Sequence, residues 1–356
     1  TAMSNVEISP GIHVTQFFLN GFDPDKLSTC LRFISPSIVH HQGLQRSEVV
    51  NLCYQLCIPV VTGFHFWNDL LQLDERLGNN QIIQNHSLSS IHPNFETILQ
   101  KAFCYFVSPF MSSTVDKIKG SPSLLTVHPP IYERFLETCK TPVESRDFIS
   151  QLNIHPSKGG NVAVALMNIP DFQPPVYFCA TENRADIWYN TFFTTFNAYQ
   201  QPKKICENWT TNPITIYKKS RILLVPSIVD ETFCRVAWEA MAAGCVVLAS
   251  DVGNLPNIIR HNVDGLILPF GQTDTWISEI RRVYNDPKLC QQFSKSAQIR
   301  AHQLVKGQES SLVDMMSNTM RLSQRHNIGF LTVWGDQGLG IQTRVYVDAL
   351  TAMDRV

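Results

Sequence analysis

An α/β chain of two domains, each built on a parallel sheet, is the fold class that three features of the sequence predict. The first is the stretch 221–250, RILLVPSIVDETFCRVAWEAMAAGCVVLAS. In it an apolar run stops at Pro226 and Ser227, a polar loop follows, and apolar residues then recur at helical spacing as far as Gly244, where a second apolar run begins. That pattern is a buried strand, a loop, a helix and a second strand, a βαβ crossover. The second feature is a similar alternation of strand-like and helix-like segments in the amino-terminal part. The third is size, because 356 residues are long for one core and comfortable for two.

Taken in order, 13–19 is a strand candidate, 37–40 closes a second strand, a helix covers 46–56, and 58–62 is a short apolar strand. The run 102–107 ends at Ser108-Pro109, a helix covers 111–119, and 124–127 leads into His128-Pro129-Pro130. The domain boundary is placed near residue 140, and the polar segment 140–147, with Pro142, fits a linker or a short excursion leading into the second domain. In the second domain NIHPSKGGN interrupts the pattern at 153–161, before an apolar helix and a strand at 176–179. Beyond the central unit come a strand within 261–270, with Asp264-Gly265 as a tight turn, surface helices at 276–284 and 286–301, and a long helix at 310–324. The stretch 327–344 is an apolar strand and a turn bearing Gly335, Gly338 and Gly340, leading into a helix through Ala352.

Composition narrows the function classes. Hydrophobic content of 44%, charge of 17% and a net charge of −1 describe a packed globular chain, with no whole-chain electrostatic case for nucleic acid or an acidic membrane. No run of about twenty apolar residues is present to span a bilayer, and the amino-terminal residues lack signal-peptide character, so a cytoplasmic, soluble protein is expected. The ten cysteines lie mostly inside apolar segments and read as reduced core residues. Cys53 and Cys57 are four apart without a second pair at zinc spacing, so no metal site is expected.

Ligands of open parallel sheets sit off the carboxyl ends of the strands, which draws attention to the loop 230–234. Glu231 and Glu239 lie eight residues apart. On a continuous helix that is roughly 12 Å, too far for the carboxylate pair of a retaining glycosidase at about 5 Å, so they are not an acid/base dyad. Lys158 precedes Gly159-Gly160. A diphosphate needs cationic donors, and a glycine turn into a helix offers free backbone N–H groups. His65 follows the strand 58–62 in TGFHFWND, where a ligand group would face a cleft, and His40 and His41 end the preceding strand in a setting suited to acceptor contact. Each has a plainer reading: solvated glutamates at a helix start, an exposed lysine in a turn, histidines buried among phenylalanines.

Together, the residues PSIVDETFCRVAWEAMAAGCVVLASDVGNLPNII resemble the E-x7-E region of retaining GT-B glycosyltransferases of family 4, and VSPFMSSTV with TVHPPIYERF is similar to the end of their first domain. The resemblance implies an α/β GT-B fold, two Rossmann-like domains facing across a cleft. It implies that Glu239 binds the donor ribose and Glu231 the hydroxyls of the transferred sugar, with the backbone at Thr232, Phe233 and Cys234 close to the donor. Lys158 would hold the diphosphate and His65 the sugar, as catalytic residues beside Glu231. The expected donor is a UDP- or GDP-sugar, used with retention and without a metal or other cofactor, and the acceptor a glycan, glycolipid or glycoprotein. The sequence departs from the pattern at Asn254 and Asn257, where the family has glycine and glutamate, at Cys234, where glycine is commoner, and in lacking an evident arginine shortly before Lys158.

In such enzymes a strand, glycine loop and helix open the first domain, the loop facing the donor phosphates. Here that unit lies at the carboxyl end, carrying Gly338 and Gly340, and none precedes His13. The implied organisation is circularly permuted: 1–140 plus 326–356 form the first, acceptor domain, and 141–325 the donor domain with its crossing helix. The rival is that the tail begins a second, truncated unit. Two other functions stay open, a non-catalytic carbohydrate- or partner-binding GT-B module and a different GT-B activity such as an epimerase or phosphorylase.

Overall fold

The structure is a computed structural model that describes residues 2–9, 12–18, 23–36, 38–43, 47–67, 94–119, 125–129, 142–169, 172–179, 204–207, 212–306 and 328–330. The first unit contains β1 (Ala2–Ser9), β2 (Ile12–Phe18), α1 (Pro24–Ile34), β3 (Ile38–Gln42), α2 (Glu48–Gln55), β4 (Val60–Phe64), α3 (Asn94–Lys101), β5 (Phe103–Phe106), α4 (Pro109–Lys119) and β6 (Leu125–Thr126). The second contains β7 (Phe148–Leu152), α5 (Gly160–Asn168), β8 (Val176–Cys179), β9 (Lys204–Glu207), α6 (Ile214–Tyr217), β10 (Ser220–Val225), α7 (Arg235–Ala242), β11 (Val246–Ser250), α8 (Leu255–Ile258), β12 (Gly265–Leu268), α9 (Thr273–Tyr284) and α10 (Pro287–Lys306). One further strand, β13 (Ile328–Phe330), closes the described chain.

Two parallel sheets organise these elements. The second unit has six strands in the order β12-β11-β10-β7-β8-β9, and the first has five in the order β13-β3-β4-β5-β6. The strand candidate at 13–19 is found as β2, yet it pairs antiparallel with β1 in a separate hairpin rather than entering the five-stranded sheet. β13 pairs parallel with β3, Ile328 opposite Ile38 and Phe330 opposite His40. The long helix expected at 310–324, the glycine turn carrying Gly338 and Gly340, and the helix after it lie outside the described residues.

In the six-stranded sheet the chain runs outward from β7 through β8 to β9, then returns to the other side of β7 to lay down β10, β11 and β12. The order therefore reverses between β7 and β10, and the crevice at their carboxyl ends is where an open α/β sheet receives a ligand. Strand composition explains the burial: Ile222, Leu223, Leu224, Val246, Val247 and Leu248 are all within 1% of full burial, as strands covered on both faces require. Helix α7 is also buried almost all round, with Ala237, Trp238, Ala240, Met241 and Ala242 inside. Its alanines let the sheet on one side and α10 on the other approach closely.

Residues 142–147 are packed against the second unit rather than strung out as a linker. Val143–Ser145 forms a 3-10 turn, and Arg146 is only 3% exposed. Its guanidinium donates to the carbonyls of Ala243 at 3.0 Å and Tyr217 at 3.3 Å, joining the ends of α6 and α7. Arg221 returns the contact, donating to the carbonyls of Arg146 at 2.7 Å and Glu144 at 2.9 Å. The sequence shows a mostly polar segment here, whereas the partners of Arg146 are backbone carbonyls about seventy to one hundred positions away. Arg146→Leu should cost about 2 kcal/mol, because orphaned buried carbonyls cost about 1–3 kcal/mol each while removal of a buried charge gives part of this back. A denaturant midpoint lowered at constant slope would show it.

Candidate functional site

The two loops that leave β7 and β10 meet at the reversal point. After β7 the chain makes a 3-10 turn over Pro156–Lys158, started by the His155 ring, which accepts from the Ser157 amide, and ended by Gly159 in the left-handed region at φ +72°. Gln151 donates to the Lys158 carbonyl at 3.0 Å, and the Ile228 amide donates to the Ser157 carbonyl at 3.0 Å, so the turn is tied to β7 and to the second loop.

Glu231 sits in that second loop, beyond Pro226 and Ser227. Its Oε1 accepts from two donors, the Lys158 ammonium at 2.6 Å and the Ser227 hydroxyl at 2.6 Å. The lysine side chain is 32% exposed and the glutamate 12%, so the pair opens toward solvent. Burial acts to lower the Lys158 pKa, but the Glu231 charge and hydrogen bond outweigh it, and the ammonium is held above its ordinary value. The main chain here is gripped as well. The Asn254 amide donates to the Glu231 carbonyl at 2.8 Å and the Gly253 amide to Asp230 Oδ1 at 3.0 Å. Gly253 stands at φ +57°, and a Cβ on it would strike the Glu231 backbone. Asn254, fully buried, also accepts from Asn257 at 3.1 Å, so the two residues that depart from the family pattern bond to each other.

Thr232 is half-buried, Phe233 is 4% exposed, and Cys234 lies at φ +66° immediately before α7. The left-handed backbone at Cys234 is what glycine supplies freely, and a side chain here carries a local strain of about 1–2 kcal/mol. Burial raises the Cys234 thiol; the charge of Glu231 raises it further, Lys158 opposes, and Glu239 adds a smaller increment. The thiol thus senses all three charged residues from one position. Glu239 is 5% exposed on the buried helix, and a carboxylate there must be paired. Arg235, one turn earlier, donates to Oε1 at 2.7 Å and the Tyr217 hydroxyl to Oε2 at 3.2 Å. Two carboxylate oxygens offer about four lone-pair sites, so capacity for further donors is left.

The first unit contributes from the carboxyl ends of its strands. His65, next after β4, is 3% exposed, and its ring lies edge-on to Tyr105 of β5 at 6.0 Å between centroids. His40 Nε2 lies 2.9 Å from the Tyr105 hydroxyl. Burial depresses both imidazoles to about 3, with the neighbouring histidines adding to the effect at His40. Both are neutral at pH 7. Since the folded values fall below the ordinary 6.5, the unfolded chain takes up these protons first, and stability is lost as pH falls from about 6.5 toward 3. Melts at pH 7.5, 6.5 and 5.5, above the carboxylate range, should show a decline that His65→Asn makes shallower.

His128, just after β6 of the first sheet, packs its ring against Phe233 at 5.3 Å and Trp238 at 5.2 Å, which joins the two units beside the Glu231 loop. The structure therefore gathers Lys158, Glu231, Phe233, Cys234 and Glu239 around one crevice, and sets His65 on the facing unit. Gly338 and Gly340 fall outside the described residues. Sequence reasoning missed Ser227, Arg235, Tyr217 and Trp67. Arg235 carried a signal, its i,i+4 spacing to Glu239; Tyr217 and Trp67 reach the site only through the fold. Among the described residues no group of three or more histidine, cysteine or acidic side chains is placed to hold a metal ion, and no helix is long and apolar enough to cross a membrane.

Residues 203–300 match the family model described as "Glycosyl transferases group 1". A D-inositol 3-phosphate glycosyltransferase of Saccharomonospora viridis is 34% identical over 88 residues, 25% of this chain and 20% of that protein. The lipopolysaccharide 1,2-N-acetylglucosaminetransferase of Salmonella typhimurium is 39% identical over 71 residues, 20% of this chain and 19% of that protein. The matched stretch thus spans about a fifth of the length of these curated relatives. In whole-chain shape the protein is similar to a glycosyltransferase from Rickettsia africae, at a TM-score of 0.67 and 14% identity over 84% of this chain and 80% of that one. It is equally similar to Anabaena Alr3699/HepE in complex with UDP, at 0.67 and 14% over 83% and 82%. The fold is GT-B, α/β with two parallel-sheet domains.

Proposed function

We propose that the chain transfers a sugar from a nucleotide-sugar donor to an acceptor hydroxyl, with retention of configuration and without a metal ion. The observation that carries this reading is the Lys158–Glu231 pair, opening at the strand-order reversal of a domain whose residues 203–300 match a glycosyltransferase family model. A cation and a carboxylate side by side suit a donor whose diphosphate is anionic and whose sugar presents hydroxyls. Lys158 takes the diphosphate. Glu231, still fixed by Ser227, accepts from the sugar hydroxyls, and Glu239 accepts from the ribose. The backbone at Thr232, Phe233 and Cys234 lies along the donor, at the start of α7, where the helix dipole favours negative charge.

As the bond from the anomeric carbon to the phosphate oxygen breaks, its electron pair leaving on that oxygen, the acceptor oxygen bonds to the same face of the carbon and its proton passes to the departing phosphate oxygen. Lys158 stabilises the charge that develops there. His65, neutral and buried on the first unit, serves the sugar side of the cleft. UDP is favoured over GDP as the nucleotide, since solved structures of similar fold hold UDP and UDP-glucose. A glycan, glycolipid or glycoprotein is the acceptor class. The parallel pairing of β13 with β3 supports a permuted first domain of 1–140 plus 326–356; Gly338 and Gly340, the loop expected beside the donor phosphates, lie outside the described residues.

Slow hydrolysis of a UDP- and GDP-sugar panel, followed by proton NMR with EDTA present, tests the reading. The α-anomer released first, at a rate EDTA leaves unchanged, is expected from an α-linked donor. Initial release of the β-anomer would overturn retention, and loss of turnover with EDTA would overturn metal independence.

A further inference from the structure

The loop that carries Glu231 has no regular secondary structure between β10 and α7, so its shape depends on what holds it. Four grips come from the second unit: Ser157, Lys158, Gly253 and Asn254, through the backbone and side-chain bonds already described. Beside the His128–Phe233 ring contact, a hydrogen bond comes from the first unit. The indole N–H of Trp67, two residues beyond His65, donates to the main-chain carbonyl of Asp230 at 2.9 Å. Trp67 is 7% exposed and is itself steadied by Phe110, whose ring lies edge-on at 5.7 Å. The hydrogen bond therefore crosses from one domain to the other and ends on the residue next to Glu231.

Resting on the donor-site reading above, we propose that Trp67 is a positioning residue that orders the Glu231 loop when the two domains close, linking the His65 side of the cleft to the Lys158 side. A loop held only from its own domain keeps its place whether the cleft is open or shut. One whose carbonyl is satisfied by an indole of the facing domain loses a buried hydrogen bond on opening, and a buried carbonyl left unpaired is costly. Asp230 transmits the effect, because its carbonyl meets Trp67 while its carboxylate holds Gly253, the glycine packed on the Glu231 backbone. Closure thus adds a hold from the facing domain on the main chain beside a carboxylate that Lys158 and Ser227 already grip within the second domain.

Trp67→Phe keeps an aromatic ring and removes the N–H, and Phe95→Leu, a buried ring of the same unit that packs on Phe64, is the control that alters core packing. Amide hydrogen exchange on the unliganded full chain should show Gly253 and Asn254 exchanging about tenfold faster in Trp67→Phe, with β10 and β11 unchanged, and no such change in Phe95→Leu. With UDP and UDP-glucose as probes, Trp67→Phe should bind UDP within about threefold of wild type yet hydrolyse UDP-glucose at least tenfold more slowly. A merely structural role would instead speed exchange throughout the domain, or lower UDP affinity and turnover in step; either result overturns the proposal, as does unchanged exchange at Gly253 and Asn254. Wild-type protein that ignores UDP would count against the nucleotide assignment, and the exchange measurement would still decide the role of Trp67.

Discussion

Glu231→Ala is expected to lower nucleotide-sugar turnover on the order of 100-fold, the scale of losing a group that positions substrate, while nucleoside-diphosphate affinity changes by only a few-fold. The two effects separate because Glu231 faces the sugar in this account, whereas the nucleotide rests on Glu239 and Lys158. Removing the carboxylate also strips Lys158 of the Glu231 charge and hydrogen bond that help hold its pKa up against burial. A Glu231→Gln variant should fall between, since the carboxamide still accepts from Ser227 but carries no charge to pair with the ammonium. Steady-state hydrolysis with calorimetric UDP titration of the same preparations checks both halves. Equal losses in affinity and turnover would move Glu231 away from the sugar.

Gly159→Ala should be the most damaging small substitution in the site, at about 3–4 kcal/mol. Two costs add. The residue stands at φ +72°, where a side chain loses about 1–2 kcal/mol, and its Cβ would fall inside the van der Waals contact distance of the Pro226 carbonyl oxygen, which belongs to the adjoining loop and cannot simply rotate away. Overpacking of this kind typically costs a further 1–3 kcal/mol or so. The strain would be relieved by moving the two loops apart, so the Lys158–Glu231 pair should lengthen and UDP affinity should drop with thermal stability. At about 2–4 °C per kcal/mol the melting temperature should fall by about 6–16 °C. A variant that melts like wild type would mean that the loops pack less tightly than this geometry requires.

The architecture around β10 and α7 was legible because its signals are local. The apolar run before Pro226, the helical spacing from Phe233 to Met241 and the glycine at 244, at φ +74°, are consequences of strand and helix periodicity within one βαβ unit. Lys158 was legible for a similar reason, a lysine ahead of two glycines at a helix start. What could not be read were contacts set by chain crossing. Arg146 looks like a linker residue until the carbonyls of Tyr217 and Ala243 converge on it, and Trp67 looks like core until its N–H reaches Asp230, more than 160 positions away. The hairpin of β1 and β2 shows the limit from the other side: the alternation of β2 announces a strand, and nothing in it says which strand it will pair with. The pairing of β13 with β3 places the carboxyl-terminal strand in the first sheet, while Gly338 and Gly340 lie outside the described residues.

Calorimetric titration of the full chain with UDP and with GDP, on wild type and Lys158→Ala, bears most directly on the claim that the crevice between β7 and β10 is a nucleotide-sugar donor site. Wild type should bind one equivalent of one of these nucleotides, and at 100-fold excess over Kd the ligand should stabilise the fold by about 2.7 kcal/mol; Lys158→Ala should weaken that binding at least tenfold. Binding of neither nucleotide by folded wild-type protein, or binding that Lys158→Ala leaves untouched, would contradict the account.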